Sequence, residues 1–284
     1  MIAVSPAELR PEATTGFDRV TAIVIAYHSR DPAAALLAKL PPEMPRVVVD
    51  NSPVDVMGEV VAAQTSPTRL VHQPDNPGFS AACNAGARLV ETEFFLILNP
   101  DVELDAAALT ECLAAMDQDP RLAVVCADRR PMKILKVPVG EWAEGAFLFT
   151  RRSAFDSIGG FDEDFFLYWE DVDFSVRLRR AGHLIKVLDT PVRHAEGTSV
   201  SAENDSAAER RWLRGGSAEI FARKHRGTLA GLYGRWRQLK YDYECIRRGD
   251  RAFNERAGAR AVRSDGFAAL RPNLFTGGAR RSRG

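Results

Sequence analysis

Carboxylates set among aromatic rings are the first chemistry this sequence offers. Across residues 159–180, Asp162, Glu163, Asp164, Glu170, Asp171 and Asp173 are interleaved with Phe161, Phe165, Phe166, Tyr168 and Trp169. A solvated acidic face would not carry that many rings. Acids held against apolar surface have their charged form disfavoured, which raises the pKa and brings general-base behaviour within reach. Asp171 also stands where a helix would begin, so capping competes with catalysis as its role. Asp173 and Arg177 read as a structural i,i+4 ion pair. A second group of polar residues closes apolar runs. Asn99-Pro100-Asp101 follows the run 94–98. A hard cation such as Mg²⁺ or Mn²⁺ takes one or two carboxylates plus phosphate oxygens, whereas Asn-Pro-Asp is also ordinary turn chemistry. Asp50 ends the run 46–50, where a lone acceptor suits the imide N–H of a uracil or thymine ring and a cap is the alternative. Residues 76–86 (NPGFSAACNAG) open a helix with glycine and small side chains, and such an N-terminus can receive a phosphate or line a nucleotide. The segment is not GxGxxG, so it offers nothing to a nicotinamide cofactor. His194 follows a Thr190-Pro191 turn and is either structural or a further metal ligand in the crevice of Asp101.

These residues need a scaffold, and the hydropathy pattern supplies one. Apolar runs at 20–27, 46–50, 68–72, 94–98 and 122–126 read as strands, most of them buried on both faces. Helices are expected at 31–40, 54–64, 79–89 and 106–117. This alternation is the signature of an α/β fold, a mostly parallel central sheet with helices on both faces. Ligands of such sheets sit beyond the C-terminal strand ends. That places Tyr27-His28-Ser29, Asp50-Asn51-Ser52, Asn76 and Asn99-Pro100-Asp101 around one crevice. The second half is less regular, with strands expected at 145–150 and 184–188 and helices at 152–158 and 171–181. Two basic helices, 207–226 and 229–249, follow.

The composition, 45% hydrophobic and 27% charged over 284 residues, excludes wholesale disorder, a collagen-like repeat and a disulfide-stapled miniprotein. Lys+Arg and Asp+Glu are 38 each, but the balance is uneven. Residues 205–284 hold 19 basic and 8 acidic side chains, which leaves a net charge of −11 on residues 1–204. A basic tail on an acidic body either meets an anionic partner or folds back. No nucleic-acid reader motif accompanies it, so no nucleic acid is expected. Cys83, Cys112, Cys126 and Cys245 form no CxxC pair, which speaks against zinc and disulfides and for a reducing compartment. Residues 1–18 read as a loose leader without signal-peptide character. No apolar stretch approaches the roughly 18 residues of a spanning helix. A cytoplasmic chain with at most peripheral membrane contact is expected.

Four stretches in order, NPGFSAACNAGA, FFLILNPDV, GAFLFTRRSAFDSIGGFDEDFFLYWEDVDFSVRLRRAGH and HAEGTS, resemble the inverting family 2 glycosyltransferases, nearest the rhamnosyltransferase and galactofuranosyltransferase-like branch. The resemblance spans about residues 20–226. It implies a GT-A fold, a nucleotide-diphosphate-sugar donor and a divalent metal, Mg²⁺ or Mn²⁺. Carried over, Asn99-Pro100-Asp101 matches the DxD motif with Asp101 as the ligand, and His194 matches the metal-binding histidine. Ala26, Tyr27, Asp50, Asn76, Gly78, Phe79, Asn84 and Asn99 match donor-site positions. Glu170-Asp171 matches the ED motif with Asp171 as the base, and Trp169 and Glu170 fall on the acceptor side. The first strand ends Ala26-Tyr27-His28 where relatives carry Thr or Val, Tyr and Asn. Ala208 stands where processive members have the Gln of QxxRW, so a non-processive enzyme is implied.

The domain reading is a leader at 1–18 and a GT-A catalytic domain at 19–204, with a donor half 19–128 and an acceptor half 129–204. A helical extension at 205–250 and a flexible basic tail at 251–284 follow. Within the acceptor half, the short stretch 128–141 carries Lys133 and Lys136, where relatives vary. The resemblance favours dTDP-rhamnose as donor, a saccharide or lipid-linked saccharide as acceptor, and cell-surface polysaccharide synthesis as the setting. Trp212, Phe221, Tyr233, Trp236, Tyr241 and Tyr243 on the basic helices suit a lipid surface, or else packing on the body or in a homodimer. Two other readings compete. A sugar-nucleotide nucleotidyltransferase would want a glycine- and arginine-rich signature after the first strand, which His28-Ser29-Arg30-Asp31-Pro32 does not supply. A non-catalytic nucleotide-sugar or glycan-binding protein would not need both Asp101 and Asp171.

Overall fold

The computed structural model of the chain describes residues 16–134, 137–194 and 207–247. The first part of the chain runs β1 (Val20–Ala26), α1 (Arg30–Leu37), β2 (Arg46–Asp50), α2 (Gly58–Ala62), β3 (Thr68–His72), α3 (Phe79–Ala87) and β4 (Phe94–Leu98). It continues through β5 (Val102–Glu103), α4 (Ala106–Gln118) and β6 (Leu122–Cys126). The second part holds β7 (Arg129–Ile134), β8 (Val137–Ala143), β9 (Phe147–Arg151), α5 (Arg152–Ser157), α6 (Glu170–Arg180), β10 (Leu184–Val187) and β11 (Arg193–His194). Two long helices, α7 (Ala207–Arg226) and α8 (Thr228–Arg247), follow.

Seven strands form one sheet in the order β10-β6-β9-β4-β1-β2-β3. All run parallel except β9, which is antiparallel to both β4 and β6. β1, β2, β4 and β6 are buried at every position, which is why their sequences are apolar apart from Thr21 in β1 and the terminal Arg46 and Asp50 of β2. Successive side chains of a strand point to opposite faces. Ala22, Val24 and Ala26 of β1 accordingly meet Leu36, Leu37, Leu109 and Met116 of α1 and α4 in one core. Ile23 and Ile25 meet Ala82, Cys83, Phe155, Phe174 and Leu178 of α3, α5 and α6 in the other. α3 lies so close to the sheet that a Cβ on Gly86 would stand 2.5 Å from Ile23 Cγ2.

The structure departs from the sequence expectation in three places. The helix expected at 54–64 is only Gly58–Ala62. Residues before it are drawn into a loop by carboxylates: Asp50 accepts from Ser52 and Val56 N–H, and Asp55 from Met57 and Gly58 N–H. The stretch 128–141 contains a hairpin, β7 with β8, whose two prolines and basic residues hide any strand pattern. β5 and β11 form a two-residue antiparallel pair too short for periodicity to reveal. The expected leader up to residue 15, the HAEGTS segment beyond His194 and the tail 251–284 lie outside the described residues, as does Lys136; for Lys133, His194, Trp212, Tyr241 and Tyr243 the description covers the backbone alone.

The expected alternative that the basic segment folds back holds for α7. Phe221 is fully buried with Phe165, Val172 and Val176, against Trp142, Trp169 and Ile220. Polar contacts lock the same seam. Ser217 Oγ donates to Leu167 O at 2.9 Å, and Lys224 Nζ reaches Asp173 at 2.8 Å and also bonds Asp162. His225 Nε2 lies 2.7 Å from Asp173, while Arg180 donates to its Nδ1 at 2.8 Å. The arginine can donate only to a lone pair, so the Nε2 nitrogen carries the proton, and burial keeps this imidazole neutral by lowering its pKa.

Candidate active site

Strand ends bring the expected residues to one edge of the sheet. At the end of β4, Asn99 N–H donates to Ala146 O at 3.0 Å, and the turn closes with Val102 N–H on Asn99 O. Asp101 sits in that turn and is 8% exposed. The β5–β11 pair sets the His194 backbone directly opposite Val102, next to Asp101. One residue before Ala146, Gly145 N–H donates to Asp171 Oδ2 at 3.3 Å. The dipeptide 145–146 therefore joins the turn of Asp101 to the carboxylate of Asp171. Positions 101, 171 and 194, far apart in sequence, share one neighbourhood.

Asp171 lies at the N-terminus of α6. Its Oδ1 accepts from Val172 N–H at 2.8 Å, and the Trp142 indole N–H also donates to the carboxylate. Burial raises its pKa to about 6; the nearby charge of Glu144 adds to the rise, and the three N–H donors hold it down. Glu170 beside it is 5% exposed, with Oε2 buried and unpartnered. Burial first, then the charge of Asp171, pushes its carboxyl well above the ordinary carboxylate range, which favours its protonated form. Before the helix, Tyr168 and Trp169 both take left-handed backbone conformations, φ 66° and 71°. Consecutive aromatic residues rarely adopt that region, and such strain persists only where surroundings enforce it. Here α7 does so: the Arg214 guanidinium lies 4.6 Å from the Tyr168 ring, and Trp169 packs on Phe221 at 5.2 Å.

Several expected donor contacts turn back onto the protein. Ala26 is fully buried in the core, and its carbonyl accepts from Asn51 N–H. Asp50 is likewise fully buried, with both oxygens on loop amides, the capping alternative for this residue. Asn84 uses its whole amide as a clamp: Nδ2 donates to Phe161 O and to Glu163, and Oδ1 accepts from Phe161 N–H at 2.9 Å. On the acceptor side, Glu170 points into the interior. Tyr27 stays half-buried at the end of β1, its ring 4.4 Å from that of His28. Asn76 and Gly78 shape the loop into α3, where Asn76 Oδ1 meets Asn51 Nδ2 and Gly78 N–H. Phe79 is half-buried, and its N–H donates to Phe166 O at 2.7 Å. Trp142, Glu144 and Gly145, which surround Asp171, were not singled out by sequence. Their signal is weak, since the Pro-containing hairpin conceals the strand that carries Trp142.

Among the described residues no three His, Cys, Asp or Glu side chains gather as a metal site. One carboxylate and one borderline imidazole leave most coordination positions to phosphate oxygens and water, and in that sense the chemistry of Asp101 and His194 is compatible with a divalent cation.

The N-acetylglucosaminyl-diphospho-decaprenol L-rhamnosyltransferase of Mycobacterium tuberculosis is 46% identical over 67 residues, 23% of this chain and 22% of that protein. The low-salt glycan biosynthesis hexosyltransferase Agl10 of Haloferax volcanii is 23% identical over 197 residues, 58% of this chain and 63% of its own length. The matches thus span less than two thirds of either relative. The mannosyltransferase PcManGT of Pyrobaculum calidifontis, solved with GDP-Man and Mn²⁺, aligns with a TM-score of 0.57 at 17% identity, covering 89% of this chain and 83% of that one. That likeness is one of fold, and the fold is GT-A. The sequence model of glycosyl transferase family 2 matches residues 23–174, more than half of the chain, and the chain belongs to that family.

Proposed function

We propose that the protein transfers a sugar, with inversion, from a nucleotide-diphosphate sugar to a hydroxyl of a saccharide or lipid-linked saccharide, with Asp171 as the base. The observation that carries this reading is Asp171 itself. It is a half-buried carboxylate with a pKa of about 6, held by three N–H donors and tied through Gly145 and Ala146 to the turn of Asp101. Near neutrality such a group is ionised yet basic enough to accept a proton, worth about 10²–10⁴-fold in rate. The acceptor oxygen bonds to the anomeric carbon as its proton passes to Asp171. The bond from that carbon to the diphosphate breaks on the opposite face, and configuration inverts. The half-buried Tyr27 and Asn76 at the strand ends line the nucleotide side. Asp101 and His194 would hold Mg²⁺ or Mn²⁺, which when bound offsets charge on the departing diphosphate.

Rhamnose, carried by dTDP, is the sugar we favour. Two relatives bearing rhamnosyltransferase names support it, the mycobacterial enzyme and the WbbL protein of Escherichia coli, 39% identical over 57 residues. The setting proposed is cytoplasmic, in cell-surface polysaccharide synthesis. Asp171→Asn should abolish transfer while dTDP still raises the melting temperature as in the wild type. Wild-type transfer should fall as pH drops through about 6, because the protonated carboxyl cannot accept a proton. Equal loss of nucleotide binding in the variant would sink the base assignment. Turnover undiminished by excess chelator would sink the metal.

A further inference from the structure

We infer that α8 is a docking face for an anionic lipid surface and that it holds the catalytic loop at a fixed height above the membrane, across α7. Among the described residues, six large hydrophobic side chains are exposed, and four of them lie on α8. Leu229, Leu232, Tyr233 and Trp236 are 83%, 57%, 45% and 56% exposed. Their spacing of i, i+3, i+4 and i+7 puts them on one face of the helix. Phe221 of α7 is the contrast: buried in the seam with α6, it belongs to the core and not to this face.

The composition of the face and the charge around it select the occupant. Tyr and Trp present an apolar body with a polar edge, and Lys240 places its ammonium 5.8 Å from the Trp236 ring. α7 and α8 together hold 10 Lys/Arg against 4 Asp/Glu, with Arg214, Arg223, Arg226 and Lys240 exposed. An apolar stripe with a cation beside it, on a net-basic hairpin, is the pattern of a helix lying in the plane of an interface. Each cation near an anionic leaflet adds about fivefold to partitioning. The acidic body, net −11 over residues 1–204, is repelled by the same surface, so the hairpin side must face it.

The hairpin register connects this face to the site. Position 231 of α8 lies against Arg223 of α7, and position 234 against Glu219. The Trp236–Lys240 end therefore lies level with the stretch of α7 where Ser217 bonds Leu167 O and Arg214 covers Tyr168. That loop leads directly into Glu170 and Asp171. A membrane-anchored acceptor would reach the base past the Trp236–Lys240 end of the hairpin. This last step rests on the transferase reading above; the docking itself does not.

The test is co-sedimentation of the full chain with phosphatidylcholine vesicles, with and without phosphatidylglycerol, for the wild type and for Leu232→Glu/Trp236→Glu. Both residues are exposed, so the variant should keep the wild-type melting temperature. Wild type should pellet with the anionic vesicles, and the variant should bind them about tenfold or more weakly. Blue-shifted tryptophan emission should accompany wild-type binding, since Trp236 leaves water. No pelleting of the wild type, or equal pelleting of wild type and variant, overturns the inference. So does a concentration-dependent dimer that the variant abolishes, which would make the face an interface between copies. The nucleotide thermal shift reads the transferase proposal separately, so either result can fail without the other.

Discussion

Glu170 and Asp171 are adjacent carboxyls that the fold treats differently. Two like charges this close in a partly dry site cannot both ionise freely, and the more buried one keeps its proton. Glu170 is therefore the neutral partner, and its raised pKa has a consequence for stability. The folded state retains a proton that the unfolded chain releases above its ordinary range, so stability is full at low pH and declines as pH rises. Glu170→Gln removes that proton without changing the shape. The variant should gain on the wild type progressively as pH rises above the ordinary carboxylate range, measured by urea unfolding across the range. A wild type whose stability does not fall toward alkaline pH would contradict the buried-neutral assignment. At this scale the sequence was informative where chemistry and surroundings were both local. Asp171 among Tyr168, Trp169 and Phe174 is legible as an acid in an apolar place. Asp50 and Asn84 stand at the same kind of strand or helix end as residues that face ligands. Whether such a side chain turns outward or caps its own loop depends on main-chain groups from elsewhere, as with Phe161 for Asn84, and one sequence does not display them.

Between elements, the connection from β3 to α3 decides how the first part of the chain meets the loop before α6. Gly78 has φ 101° and ψ 173°, a region essentially reserved for glycine. A Cβ there would lie 2.4 Å from Phe166 O, the carbonyl that accepts from Phe79 N–H. Backbone faces backbone, so no side-chain rotation relieves the collision. Gly78→Ala should cost about 3 kcal/mol or more in equilibrium unfolding, with the damage extending to the loop before α6. A cost below about 1 kcal/mol would mean the two segments are not joined at this point. The large strands were legible because β1, β2, β4 and β6 are buried on both faces and so are predominantly apolar. The β7–β8 hairpin was not, because its Pro131 and Pro138 and its basic residues break any alternation. The shortened α2 was missed for another reason: the carboxylates of Asp50 and Asp55 bind loop amides, and that local bonding competes with helix propensity.

Over the whole molecule, the separation of an acidic body from a basic segment was visible in the residue counts, but the counts left open where the segment goes. The decisive contact is Asp173, fully buried and bonded to Arg177 at 2.6 Å, Lys224 at 2.8 Å and His225 at 2.7 Å. Burial alone would raise its pKa; the hydrogen bonds from Lys224 and His225, with the charge and hydrogen bond of Arg177, outweigh that and hold it below the ordinary range. Because Asp173 is two residues from Asp171, the seam that docks α7 also fixes the helix that carries Asp171. Removing one member of a buried ion pair leaves the others uncompensated and typically costs about 3–5 kcal/mol. Asp173→Asn keeps the shape and removes the charge, so a loss near 3 kcal/mol at neutral pH is expected. The sign of the pH dependence follows from the lowered pKa. The wild type holds this stabilisation above the unfolded value and loses it as pH falls through the folded one, so the gap between wild type and variant should close below about pH 4. Hydrogen exchange should show α7 opening first in the variant, with the amides around Asp171 losing protection next. Unchanged protection of α7 would mean that the Phe221 contact holds it alone and that the charge network is incidental to docking.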